Sequence, residues 1–117
     1  MKRFATALAL TGGLAGCAVP AARAPVGTAA IPYTSVGLER VLGQDAAGLI
    51  RLFGQPDADI REGAARKLQF ESGICVLDAY LYPRKAGQEP VVTYVDARRP
   101  DGADTDRAAC VAALSKP

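Results

Sequence analysis

The sequence predicts an α+β fold: two short N-terminal helices, an antiparallel three- to four-stranded sheet, and a C-terminal helix packed on one face. Three observations predict it. Apolar residues recur at helical spacing from Leu38 to Phe53, the period changes to two between Ala58 and Ala97, and the chain returns to a helical pattern before its end. Helical and extended segments are therefore segregated along the chain, with no regular alternation, which is the α+β pattern.

Leu38, Val41 and Leu42 have the i, i+3, i+4 spacing of a short helix, and Gly43 is placed to end it. Asp45 is a candidate N-cap for a second helix, Ala46 to Phe53, whose apolar stripe is Leu49, Leu52 and Phe53. Gly54 and Pro56 stop that helix. Ala58–Glu62 and Arg66–Glu71 then read as a hairpin across Gly63-Ala64, with Leu68 and Phe70 on one face. The clearest strand is Ile74 to Tyr82. It sets Cys75, Leu77, Ala79 and Leu81 on one face against Ile74, Val76, Asp78, Tyr80 and Tyr82 on the other. Pro83–Pro90 is a charged hairpin loop leading to a strand over Val91–Ala97. Asp101-Gly102 is a turn, and Asp104 or Thr105 caps a last helix, Asp106–Leu114.

The N-terminus carries an address. Lys2 and Arg3 precede an uncharged run, Phe4 to Gly16, which is shorter than the roughly 20 residues of a membrane span and suits a signal-peptide h-region. The run closes on Leu14-Ala15-Gly16-Cys17, which resembles the bacterial lipobox and marks Cys17 as the lipidated residue. An ordinary secretory signal would cut after Ala22-Arg23-Ala24, which puts Pro25 directly after the scissile bond. A buried N-terminal helix is disfavoured by Gly12, Gly13 and Gly16. The expected organisation is a signal peptide over 1–16, a lipidated Cys and Ala/Pro-rich tether over 17–36, and a folded domain over 37–117. Ala18 after the Cys, where Asp would signal retention in enteric bacteria, points to the outer membrane, with the domain on its periplasmic side.

Composition limits the chemistry. The chain of 117 residues has no His, which excludes a Ser-His-Asp triad, a Cys-His dyad and a His-ligated metal. Its 3 Cys cannot build a Cys₄ metal site within one chain. Lys2 and Arg3 account for the formal charge of +2; without them basic and acidic residues balance at 12 each, and no nucleic-acid footprint remains. With Cys17 given to lipid, Cys75 and Cys110 are an even pair in an oxidising compartment, where a disulfide is expected. Two buried free thiols are the alternative. Closing that 35-residue loop contributes about 3–4 kcal/mol in the chain-entropy model, which matters for a domain this small.

The run Gly43-Gln44-Asp45-Ala46-Ala47-Gly48-Leu49-Ile50-Arg51-Leu52-Phe53-Gly54-Gln55-Pro56 resembles the SmpA/OmlA (BamE-like) lipoprotein domain. The shared pattern is a Gly, a polar helix cap two residues on, an apolar helix and Gly-x-Pro, followed in order by strands holding Leu68 and Phe70 and then Cys75–Tyr82. The resemblance covers Leu38 to Tyr82. Asp45 stands where the family usually has Ser or Thr, Leu68 where an aromatic is frequent, and the helix carrying Cys110 is additional. The resemblance implies a small outer-membrane lipoprotein of α-α-β-β-β fold, and a role as an accessory subunit in inserting β-barrel proteins. It brings no catalytic or ligand residues with it.

Other clusters have simpler structural accounts. Asp101, Asp104 and Asp106 lack EF-hand spacing and fit a turn followed by a helix N-terminus, so no metal site is expected. Arg84-Lys85 and Arg98-Arg99 are candidates for anionic headgroups, but solvated loop and strand-end charges explain them. Asp78 and Asp96 have no base, nucleophile or metal partner in the sequence, so no enzyme and no cofactor is expected. Val76, Tyr80, Tyr82 and Tyr94 form a candidate partner-binding face on the sheet, away from the helices. Two functions follow: a non-catalytic accessory lipoprotein that binds a protein partner in the envelope, or a disulfide-stapled periplasmic inhibitor of a hydrolase. An inhibitor would present a plugging loop, and Pro83–Pro90 is its only candidate.

Overall fold

A computed structural model describes residues 12, 13, 15–17 and 31–117. Most of the expected signal peptide and the tether over 18–30 lie outside the described residues. The element order is α1 (Ala46–Phe53), β1 (Ala58–Glu62), β2 (Ala65–Glu71), β3 (Val76–Tyr82), β4 (Val91–Arg98) and α2 (Arg107–Leu114). The strands form one antiparallel meander in the order β1-β2-β3-β4. This is the expected α+β class with four strands, one helix before the sheet and one packed on it.

The helix expected at Leu38–Leu42 is replaced by turns. Val41 and Leu42 both donate their N–H to the Leu38 carbonyl, and Gln44 donates to Val41, without a continuing helical ladder. The reason lies at the two ends of the segment. Gly37 and Gly43 take left-handed φ values of 82° and 83°, leaving too few residues between them to offset helix nucleation. Gly43 and Gln44 are also engaged by β4, where Gly43 N–H donates to the Val92 carbonyl and Val92 N–H donates to the Gln44 carbonyl. Leu38 and Val41 are nevertheless fully buried, so the apolar spacing marked core residues correctly and the wrong local conformation.

α1 forms because Asp45 caps it. Its carboxylate accepts the Gly48 N–H at 2.8 Å, and such a cap is worth about 1 kcal/mol. Leu49 and Phe53 are buried, and the Phe53 ring packs against Phe70 of β2 at 5.0 Å between centroids. The core continues through Leu68, Leu77, Ala79, Leu81, Val95 and Val111. Cys75 and Cys110 are joined by a disulfide with Cα atoms 5.9 Å apart, which fixes α2 to the residue just before β3. The chain end closes on the first helix, since Lys116 N–H donates to the Leu52 carbonyl at 2.8 Å. α2 is capped by Asp106, in place of Asp104 or Thr105, and Asp104 instead forms a β-bridge with Arg98.

Candidate functional site

The sheet face away from the core is built by strand register. Ile60, Lys67, Tyr80 and Tyr94 form one cross-strand row, with Gln69, Asp78 and Asp96 in the next. Val76 pairs with Arg98 at one end and Tyr82 with Val91 at the other. Val76, Tyr80, Tyr82 and Tyr94 therefore share one face, because side chains directly opposite in an antiparallel ladder point the same way. Their exposure differs. Tyr82 is 47% and Tyr94 38% exposed, while Val76 and Tyr80 are half-buried.

A β-bulge lies within this face. Tyr80 pairs with Tyr94 but Leu81 pairs with Val92, leaving Thr93 as the extra residue on β4. Thr93 Oγ1 donates to the Tyr80 carbonyl at 3.4 Å. Bulges sharpen local twist, and Tyr82 lies just beyond this one, beside a shallow cavity of about 230 Å³ lined by Ile60, Glu62, Ala65, Lys67, Tyr80 and Tyr82.

In the row next to Tyr80 is a buried carboxylate. Asp78 is 1% exposed; its Oδ1 accepts from Gln69 Nε2 at 2.8 Å, and its Oδ2 accepts from Arg98 Nη1. Lys67 Nζ is 3.9 Å from Oδ1 and lies over the Tyr80 ring at 5.7 Å from its centroid. Among the described residues no buried side-chain polar atom lacks a partner. The network ties β2, β3 and β4 together across the sheet and meets the tyrosines at Tyr80, through Lys67. Burial, then the Asp78 and Asp96 carboxylates, push the Tyr80 phenol above its ordinary value. Asp78 in turn holds the Arg98 guanidinium above its ordinary value through their hydrogen bond.

Three contributors to this face escaped the sequence reading. Tyr33, expected in the tether, stacks on Tyr94 with ring centroids 4.8 Å apart. Arg107 of α2 reaches round the sheet edge. Its Nε donates to the Val95 carbonyl at 3.1 Å, its Nη2 donates to the Tyr94 hydroxyl at 3.3 Å, and its guanidinium carbon lies 4.8 Å from the Tyr33 ring centroid. Ile60 of β1 is 48% exposed beside Tyr80 and Tyr82. Ile60 alternates with charged neighbours on its strand and was legible; the Tyr33 and Arg107 contacts join distant segments and were not.

Cys17 is exposed and its thiol is unpaired. Among the described residues, no helix is long and apolar enough to cross a membrane, and no group of three or more His, Cys, Asp or Glu is placed to hold a metal. Protein-family models, curated proteins and solved structures offer no match to the chain.

Proposed function

We propose that this chain is a non-catalytic accessory lipoprotein, held at the periplasmic side of the bacterial outer membrane by acyl chains on Cys17, and that it binds a protein partner through the tyrosine face. In this reading it is a divergent relative of the SmpA/OmlA lipoproteins, and its work is in outer-membrane protein assembly. The lipobox supports the anchor, since multiple acyl chains hold a protein to a bilayer stably. The observation that carries the binding role is the pair of exposed aromatics on one sheet face, Tyr82 with Ile60 beside it and Tyr94 across the bulge, a face that α1 and α2 leave open apart from the Arg107 side chain. Aromatic side chains on a rigid support are typical binding hot spots, because they bury large area at little cost in conformational freedom. The support is the sheet itself, whose strands β2, β3 and β4 Asp78 ties together through Gln69 and Arg98.

The test is affinity purification of the lipidated chain from membranes, in parallel with a Tyr82→Ala/Tyr94→Ala variant. An envelope-assembly protein recovered with the parent chain and lost from the variant is the expected result. Recovery of a soluble hydrolase instead would replace this reading with the inhibitor one.

A further inference from the structure

The two edges of the sheet are finished differently. Along β4, Gly43 and Gln44 bond to Val92, the Arg107 guanidinium bonds to the Val95 carbonyl, and Asp104 bridges Arg98. That edge is engaged at both ends and at the Val95 carbonyl between them. Along β1, Asp59, Ile60, Arg61 and Glu62 are all exposed, and among the described residues no backbone group of these four bonds outside β2. Edge strands left open in this way pair with other chains unless something prevents it.

The charges on β1 select what pairs. Asp59 and Arg61 flank Ile60 with opposite sign. When two β1 strands meet antiparallel about Ile60, Asp59 of each copy lies opposite Arg61 of the other, and the two Ile60 side chains meet on the axis. Opposite charges directly across an antiparallel pair are favourable and like charges are not. A slip of two residues in one direction sets Asp59 against Asp59, and in the other Arg61 against Arg61. Only the register centred on Ile60 satisfies both copies with their helices on the same side of the sheet. Each partner has capacity for this contact. Asp59 is held by Arg66 at 2.6 Å yet keeps 37% of its side chain exposed, and Arg61 makes no salt bridge among the described residues.

We infer that the β1 edge is a self-association site, where a second copy of this chain pairs antiparallel about Ile60 to form one continuous eight-stranded sheet. The contact is isologous and closes on itself as a two-fold dimer. The inference does not rest on the tyrosine-face reading, although Ile60 borders both surfaces, and Tyr82 and Tyr94 stay available because the two-fold axis runs perpendicular to the sheet. A five-residue strand pair buries less than the roughly 1,000 Å² of a stable complex, so the dimer is weak in dilute solution.

The experiment uses the full chain with Cys17→Ser, which removes the unpaired thiol, followed by sedimentation velocity up to about 1 mM, the range of weak association. A concentration-dependent dimer is expected, weakened at least tenfold by Arg61→Asp, with circular dichroism of that variant unchanged. In the same background, Ile60→Cys forms a cross-linked dimer under mild oxidation and Ala58→Cys does not, because only position 60 meets itself. A monomer throughout that range overturns the inference. So does a dimer indifferent to Arg61→Asp, or cross-linking equal at positions 58 and 60.

Discussion

The Tyr33 ring lies on Tyr94 at 4.8 Å between centroids, so the chain entering the domain is fastened to the same face that carries the exposed tyrosines. Arg107 completes the arrangement from α2, with its guanidinium beside both rings. The segment just before the first buried residue, Leu38, thus helps to build the candidate surface.

Tyr33→Ala is expected to lower stability by about 1 kcal/mol, combining a lost aromatic pair and a lost cation–π contact. For a domain of this size that is a fall in Tm of about 4–8 °C. Thermal denaturation checks it, and Tyr33→Phe should restore most of the loss.

Gly37→Ala tests the same entry segment through the backbone. Gly37 has φ of 82°, and an added Cβ would stand 2.5 Å from the Ala108 Cβ on α2. Both the left-handed backbone and the clash oppose a side chain there. The expected loss is about 1–3 kcal/mol, read by urea denaturation with an unchanged slope.

Removing the disulfide with Cys75→Ser/Cys110→Ser should cost about 3–4 kcal/mol, because the bond closes a loop of 35 residues. Denaturation of the parent chain with and without reductant gives the same comparison without mutation. An effect below about 1 kcal/mol would show that the denatured chain is little constrained by the bond.

Alkaline titration tests the environment of Tyr80. Its phenol is held above the ordinary 10.0 by burial and by the Asp78 and Asp96 carboxylates. The folded state therefore retains a proton that the unfolded chain releases. Its stabilising contribution is complete below pH 10.0 and is lost as pH rises from there through the folded value. Tyrosinate absorbance should place the Tyr80 ionisation above pH 10.0, and Tyr80→Phe should remove that step and the matching part of the alkaline loss of stability.

Much of this architecture was legible in the sequence because it is set by near neighbours. Asp45, the Leu49–Phe53 stripe and Gly54 define α1 over the expected Ala46–Phe53, and alternation in β3 separates Leu77, Ala79 and Leu81 from Tyr80 and Tyr82. What was not legible depends on pairing between distant segments. Leu38–Leu42 has helical spacing, yet Gly43 and Gln44 are drawn to β4. Asp78 reads as an outward carboxylate, and its burial follows from register, which brings Gln69 of β2 and Arg98 of β4 to it. The strand face was assigned correctly, whereas the cover over it came from Tyr33 and Arg107, which no local period connects.

The proposed function puts a protein partner on the tyrosine face at the outer membrane. Its most direct test is site-specific photo-crosslinking in living cells, with the photoreactive residue at Tyr82 or at Arg51, an exposed position on α1. A discrete adduct with an envelope protein is expected from position 82, none from position 51, and loss of the adduct when Cys17→Ser releases the chain from the membrane. An adduct from position 51 with none from 82, or the same adduct after Cys17→Ser, would contradict it.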